Sequence, residues 1–225
     1  MTDIKKYLSR QKSIDNLPVL LLFLICLLSK SITAQHFKIG LSAGFNFCQI
    51  EGDRLSGYNK KGYELGIFGL YKLREDAFIY ISPSFSHYGS KINKEQPNID
   101  YKKPLLSLEA HDINILWAYM VNFGNKKDPN ILKTRAHFGI KVHNMISAES
   151  TISRVNILLK EEGISFKDIR HIYPSINIGY GLFLKNNLTV DVRLDHAVFN
   201  ILKVENPDFF RLIPYQVGLN LMYNI

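Results

Sequence analysis

The chain has 225 residues, of which 46% are hydrophobic and 21% are charged, so its length fits a single domain with one substantial core. Its 28 lysines and arginines outnumber 20 aspartates and glutamates, giving a net charge of +8. No basic stretch is interleaved with aromatic residues, which argues against a nucleic-acid partner. Cys48 is the only cysteine beyond the first 35 residues, which excludes a disulfide framework or a cysteine-rich metal site in that region.

The first 35 residues have the three parts of a secretory signal peptide. A lysine-rich and arginine-containing start is followed by the apolar run 17–28 and by a polar stretch with small residues near Ala34. A retained N-terminal anchor is the less favoured alternative, because a membrane helix needs roughly 20 apolar residues. Cys26 follows Ile25 rather than a small residue, so it does not make a lipoprotein signal. We expect residues 1–35 to be a signal peptide and residues 36–225 to form an outer-membrane β-barrel domain.

Beyond residue 35 the sequence alternates between two kinds of side chain, which is the pattern of β-strands with two different faces. In "FKIGLSAGFNFC" an apolar face carries Phe37 and Ile39, and the opposite face carries Lys38. The third segment is less regular, since Pro83 interrupts it. The first half of this region contains four such segments, at residues 37–48, 62–72, 77–89 and 111–123.

The second half repeats the pattern. In "LTVDVRLDHAVFN" Val190 and Val192 share one face, and Asp191 and Arg193 share the other. Four segments alternate here, at residues 134–145, 174–184, 188–200 and 214–225. Eight strands are the number that closes a small barrel. The sequence therefore predicts an all-β fold, namely an eight-stranded antiparallel up-and-down transmembrane β-barrel.

The connections between these strands alternate between long and short. Short ones lie at 73–76, 124–133 and 185–187. This asymmetry is typical of a barrel with long extracellular loops and short periplasmic turns. The long connections lie at residues 49–61, 90–110, 146–173 and 201–213.

In a closed barrel the apolar face meets lipid and the other face fills the lumen, because every backbone group in hydrocarbon needs an internal partner. Charged residues on the lumen face could line a permeation path or form a mutually paired plug. Eight strands leave a narrow interior, which favours the plug. The predicted lumen charge network consists of Lys38, Glu64, Asp112, Arg135, Lys141, Asp191, Arg193 and Asp195.

The histidines and carboxylates do not predict a metal or catalytic site. His137 and His143 share a face, but six residues of strand separate them by roughly 20 Å. Asp195 and His196 are adjacent on a predicted strand, so they point to opposite faces. We therefore expect a protein without enzymatic activity, metal or cofactor.

Several motifs resemble the PorT-like family of bacterial outer-membrane β-barrel proteins. The opening "IGLSAGFNFCQIEGDRLSGYNKKGYELGIF" is similar to that family's first hairpin, and "ISPSFSHYGSKI" to its third strand and loop. "LTVDVRLDHAVFNI" resembles the penultimate strand, with Arg193 and Asn200 at matching places. The resemblance covers roughly residues 37–225. It implies a barrel in the cell outer membrane and a connection with protein secretion.

Two hypotheses about function remain open. The first is a non-enzymatic outer-membrane barrel with a structural, adhesive or secretion-accessory role. Its partners would be outer-membrane lipids, the barrel assembly machinery acting on the C-terminal strand, and a protein at the extracellular loops, with no nucleic acid. The second is a soluble, exported, lipocalin-like barrel that binds an apolar ligand. In that case the aliphatic face would lie inside the barrel and the charged face would meet water. Aromatic residues near strand ends would form interfacial girdles in the first case.

Overall fold

The computed structural model describes residues 37–55, 57–91, 105–124, 133–153, 160–162, 164–203 and 211–225. The predicted signal peptide, residues 1–35, lies outside the described residues. Among the residues described, no helix is long and apolar enough to cross a membrane. A single turn of 3-10 helix is present, at Phe166–Asp168.

Long β-strands make up most of the described chain, and the eight strands predicted from the sequence carry the expected alternation. Buried and exposed residues alternate along them, as in β8, where every second residue is buried. The strands are β1 (Phe37–Glu51), β2 (Lys60–Lys72), β3 (Ala77–Ser90), β4 (Leu105–Phe123), β5 (Thr134–Ser153), β6 (Lys160–Glu162), β7 (Ile172–Lys185), β8 (Leu188–Ala197) and β9 (Ile213–Asn224).

The sheet closes on itself as an eight-stranded barrel. Each strand pairs antiparallel with the next along the chain, and β9 pairs with β1. Strand β6 lies outside this ring, because it pairs only with the end of β5 at Thr151–Ser153. The predicted eight-stranded antiparallel up-and-down barrel is therefore confirmed. The long connections meet at one end, called the outer end below, and the short ones meet at the other.

The hairpin of β4 and β5 is longer than predicted. Strand β4 begins at Leu105 instead of residue 111, and β5 continues to Ser153 instead of residue 145. The ladder changes register between His111 and Asp112 and then continues to the ends of both strands. Ser107 and Glu109 point outward in this extension, so its outer face lacks the apolar residues that marked the other predicted strands.

The register of the strands fixes their tilt. From Phe37, the paired residues can be followed through all eight strands and back to Phe47 on β1. The path thus returns ten residues further along the strand. A displacement of this size in eight strands requires a tilt of roughly 40° to the barrel axis.

Three layers of side chains fill the interior, and β4 shows their order. Leu106 and Leu108 lie in an apolar layer at the outer end, Asp112 and Asn114 lie in a polar middle layer, and Leu116 begins a second apolar layer. The outer apolar layer also receives Ile169, Ile201 and Leu212 from the long connections. The lower layer consists of Phe68, Leu70, Phe78, Tyr80, Leu116, Ala118, Met120 and Met222.

Two glycines meet specific steric demands of this interior. A Cβ at Gly179 would overlap the imidazole ring of His137, so glycine on β7 gives room to the larger side chain on the neighbouring strand. Gly52 has a φ of 96° at the end of β1, and a Cβ there would overlap the carbonyl oxygen of Arg211. This second position lets the first outer connection turn over the barrel.

Candidate functional site

A layer of ionisable side chains crosses the middle of the barrel. The period-two alternation of four strands directs these side chains inward, and closure of the sheet brings the strands together. Seven of the eight predicted lumen charges are at most 5% exposed. They are Glu64 on β2, Asp112 on β4, Arg135 and Lys141 on β5, and Asp191, Arg193 and Asp195 on β8.

Lys141 connects two sides of this layer. Its Nζ lies 2.7 Å from Glu64 Oε2 and 3.3 Å from Asp195 Oδ2. Gln216 Nε2 also donates to Asp195 Oδ2, at 3.2 Å. Because these side chains are almost completely buried, their charges are tolerated only through such mutual contacts.

Arg193 makes the second set of contacts across the lumen. Its Nε donates to Asp191 Oδ2 at 2.6 Å, and an Nη lies 3.4 Å from Glu64 Oε1. Its other Nη donates to the hydroxyl of Tyr80 at 2.8 Å. Glu64 therefore contacts both Lys141 and Arg193, and its carboxylate joins the two sets of contacts.

Two predicted members of the network differ from the expectation. Lys38 is exposed, because the pairing of β1 with β9 begins at Gly40 and leaves Lys38 beyond the last pair, open to solvent. Arg135 is buried, but no carboxylate of the described residues forms an ion pair with it. Its guanidinium lies 4.2 Å from the centre of the Phe183 ring, in a cation–π contact.

Two histidines that the sequence analysis set aside are part of the polar layer. His143 Nδ1 contacts Asp112 Oδ2, and its Nε2 lies 2.9 Å from Ser175 Oγ and 3.6 Å from Asp195 Oδ2. His137 Nε2 lies 3.0 Å from Asn177 Oδ1. The alternation of residues 134–145 already placed both rings on the lumen face, which was the signal available in the sequence.

The permanently charged groups of this layer leave one excess negative charge. Four carboxylates stand against three permanently cationic side chains, and His143 lies between two of those carboxylates. A proton on either histidine of the layer, His143 or His137, would make it neutral, which the low polarity of the interior favours. The permanently charged groups counted here are the acids Glu64, Asp112, Asp191 and Asp195 and the cations Arg135, Lys141 and Arg193.

Ser175, His143 and Asp112 have the connectivity of a serine-hydrolase triad, but their surroundings leave no space for a substrate. The Ser175 side chain is fully buried, and the imidazole of His143 stacks on Tyr173 with ring centres 4.6 Å apart. The adjoining cavity measures about 10 Å³, which is the size of one water molecule. The three groups therefore form a closed hydrogen-bond chain that fixes the ring of His143.

No group of histidine, cysteine, aspartate or glutamate side chains in the described part of the chain is arranged to hold a metal ion.

The outer face has the opposite character to the lumen, since large apolar side chains cover the whole ring of strands. Examples are Leu41, 51% exposed, and Phe45, 72% exposed. The aromatic residues predicted near strand ends are all on this face, namely Phe37, Phe47, Tyr63, Tyr71, Tyr119, Tyr215 and Tyr223.

Comparison with known proteins finds similarity only among solved structures. No protein-family model and no curated protein matches the chain. Ail of Yersinia pestis is 9% identical, with 85% of this chain and 100% of that chain covered and a TM-score of 0.44. Neisserial surface protein A is 11% identical, with 84% and 97% covered and a TM-score of 0.42. The outer membrane protein AlkL, determined in lipid bilayers, is 12% identical, with 87% and 94% covered and a TM-score of 0.41.

These values describe similarity, whereas the assignment of the fold rests on the strand pairing of the chain itself. The resemblance to the PorT-like family remains a prediction.

Proposed function

We propose that this protein is a non-enzymatic, non-conducting barrel of the bacterial outer membrane, which carries contact surfaces on its outer loops. The observation that carries the proposal is the opposite character of the two faces of one closed sheet. Aliphatic and aromatic side chains point outward on every strand of the ring, while paired charges are enclosed. A closed sheet leaves no free edge, which is the requirement for crossing hydrocarbon with strands.

The soluble ligand-barrel hypothesis needs the reverse arrangement. A lipocalin-like barrel would bury aliphatic residues around its ligand and expose its charges to water. Here Ile67 and Ile140 are each 54% exposed, whereas Lys141 and Arg193 are at most 3% exposed. The faces therefore favour the membrane hypothesis, and the cavity beside His143 and Asp195 in the middle layer, at about 10 Å³, is too small for an apolar ligand.

A conducting role is disfavoured by the order of the three interior layers. An ion that moved along the axis would have to pass the outer apolar layer, then the Glu64–Lys141–Asp195 contacts, and then the lower apolar layer. Hydrophobic constrictions and paired charges both oppose ion passage. The network acts as a plug that fixes the shape of the barrel.

Fractionation and electrical recording test this proposal directly. We expect the protein in the outer-membrane fraction, extracted only by detergent and migrating differently in gels before and after boiling. In planar bilayers we expect no steady conductance from the wild-type barrel. Recovery in the soluble periplasmic fraction would overturn the membrane assignment, and stable open channels would overturn the plug.

Export and orientation have separate tests. We propose that residues 1–35 are removed during export, which N-terminal sequencing of the mature protein checks. An epitope at Gly57 should be accessible on intact cells, and one at Asn186 should not, because the first lies among long connections and the second in a short turn. Labelling at Asn186 alone would reverse the orientation. A structural, adhesive or secretion-accessory role would act through the outer connections.

A further inference from the structure

A structured surface lies beside the outer ends of β7 and β8. Ile169 and Leu202 form an isolated antiparallel bridge and are both buried. Asn200 Oδ1 accepts hydrogen bonds from the backbone N–H groups of Leu202, at 3.0 Å, and Leu212, at 2.8 Å. Backbone and buried groups therefore hold this surface, independently of its exposed side chains. We call it the outer ledge, and it consists of residues 164–171 and 198–203.

Three exposed cations project from the outer ledge. Lys167, Arg170 and Lys203 are all exposed, and none forms an ion pair with a carboxylate of the described residues. Lys203 Nζ donates to the carbonyl oxygen of Lys167 at 3.0 Å, which places the Lys203 ammonium beside the backbone of the other segment of the ledge. Asp168 is the one acidic residue of the ledge and is half-buried. The surface thus has an excess of positive charge on a fixed backbone.

Two other cations at the outer end are paired with acids. Arg211 contacts Glu51, and Lys60 Nζ lies 2.8 Å from Glu109 Oε1. Such pairs have little remaining attraction for an anion, because the field of the carboxylate opposes that of the cation. The cations of the outer ledge therefore keep more of their attraction for an anion than Arg211 and Lys60 do.

Large apolar side chains flank these cations on the outer face. Phe199 is 58% exposed and Val198 is 46% exposed, both within the ledge. Ile172, 67% exposed, follows the ledge directly and begins the outward apolar row of β7. Cations next to exposed apolar residues are the pattern of a surface at the boundary between hydrocarbon and headgroups.

We propose that the outer ledge binds the phosphate groups of a phosphorylated saccharide lipid in the surrounding leaflet, with the lipid chains lying over Val198, Phe199 and Ile172. This inference rests on the proposed function. Lysine and arginine supply charge-assisted hydrogen bonds to phosphate oxygens. A fixed ledge needs little reordering on binding, which favours affinity. The exposed apolar residues favour a lipid-linked phosphate over a free polyanion, because a free polyanion has no apolar chains to pack against them.

Binding to the purified protein in neutral detergent micelles tests the proposal. The probes are bisphosphorylated lipid A and, as a free polyanion, dextran sulfate. We expect the triple variant K167Q/R170Q/K203Q to bind lipid A at least tenfold more weakly than the wild type. The matched control is K72Q/R74Q/K185Q, which removes the same charge at the opposite end of the barrel and should change the affinity by less than twofold.

A second pair of substitutions distinguishes the two sources of phosphate or sulfate. V198N/F199N should weaken lipid A binding and leave dextran sulfate binding unchanged. The heat-dependent gel shift of every variant checks that the barrel is folded. Equal lipid A affinity in the two triple variants would overturn the proposal. Loss of dextran sulfate binding in K167Q/R170Q/K203Q without an effect of V198N/F199N on lipid A would overturn the lipid assignment in favour of a free polyanion.

These measurements remain informative if the membrane assignment fails. Micelle binding reports on the ledge alone, whereas fractionation reports on location. Suppose that the protein is found in the soluble fraction and that K167Q/R170Q/K203Q still loses lipid A binding. This result would overturn the proposed function, but it would support the outer ledge as a phosphate-binding surface.

Discussion

Lys141 and Glu64 are separated by 77 residues in sequence, yet their side chains meet at 2.7 Å inside the barrel. Both are nearly inaccessible to water. Their contact depends on the complete ring of strands, because β5 and β2 are not neighbours in the sheet. The pair therefore forms only when the barrel closes, and it should report on closure more directly than any contact between adjacent strands.

The first prediction concerns the energy of this pair. In a double-mutant cycle with Glu64→Gln and Lys141→Met, each single change should cost about 3 kcal/mol, since it leaves a buried charge with fewer partners. We expect a coupling energy of at least about 1 kcal/mol in urea unfolding followed by the gel shift.

The Lys60–Glu109 pair is the matched control for this cycle. Its N···O distance of 2.8 Å is similar, but the Glu109 side chain is 53% exposed. Its coupling energy should stay below about 1 kcal/mol, because solvent screens exposed pairs. Equal coupling in the two cycles would contradict the buried character of the Lys141–Glu64 contact.

The second prediction compares one substitution at two heights on the outward face. Val192 lies in the middle of the apolar row of β8, whereas Ile172 lies at the outer end of β7. Val192→Arg should destabilise the barrel in lipid by about 2–4 kcal/mol, and Ile172→Arg by about 0–1 kcal/mol. Folding yields and urea midpoints in vesicles measure both. A similar cost at the two positions would place the membrane boundary elsewhere.

The third prediction concerns the chain of Ser175, His143 and Asp112. Ser175 Oγ is enclosed, so a fluorophosphonate probe should not label it in the folded protein. The labelling measured for Ser175→Ala should therefore equal that of the wild type. A catalytic serine would behave oppositely in both measurements. Labelling that requires Ser175 would show that a path to this hydroxyl opens in solution, and it would overturn the assignment of a non-enzymatic role.

Alternation in the sequence was enough to predict which face each lumen charge occupies, because a side-chain period of two is a local property of a strand. Glu64, Asp112 and Asp195 could be assigned in this way. Their height along the axis could not be assigned, since it depends on the register of all eight strands. For this reason Lys38, which the alternation predicts on the inner face, lies beyond the pairing of β1 with β9 and is exposed.

The extension of the β4–β5 hairpin was missed for a related reason. Its outward residues, such as Ser107 and Glu109, are polar, and so they do not give the apolar alternation of the other strands. Its inward residues Leu106 and Leu108 belong to the apolar layer at the outer end. The register shift opposite His111 and Asp112 also inserts one residue on β5, so that Ile146 and Ser147 are both exposed and the alternation of β5 changes phase. Neither feature can be recognised without the pairing partner.

The last prediction concerns pH and the first outer connection. Asp53 follows β1, and burial raises its pKa from the ordinary value of 3.8 to about 7. Its Oδ1 accepts the N–H of Leu55 at 2.7 Å, and its carbonyl oxygen accepts the N–H of Leu106 at 3.1 Å. This aspartate therefore ties the first connection to β4 over the barrel interior.

The folded connection binds the proton of Asp53 more tightly than an open connection does. Its closure is thus most favourable below about pH 4, weakens as the pH rises from about 4 to 7, and is constant above that range. Hydrogen exchange of the Leu55 and Leu106 amides, corrected for intrinsic rates, should show protection that falls by at most tenfold per pH unit in this window, since one proton is involved. Asp53→Asn, which carries no titrating group, should make the protection independent of pH, while Glu51→Gln on the exposed side of the same turn should retain the wild-type slope. The same slope in Asp53→Asn as in the wild type would show that another group controls the connection.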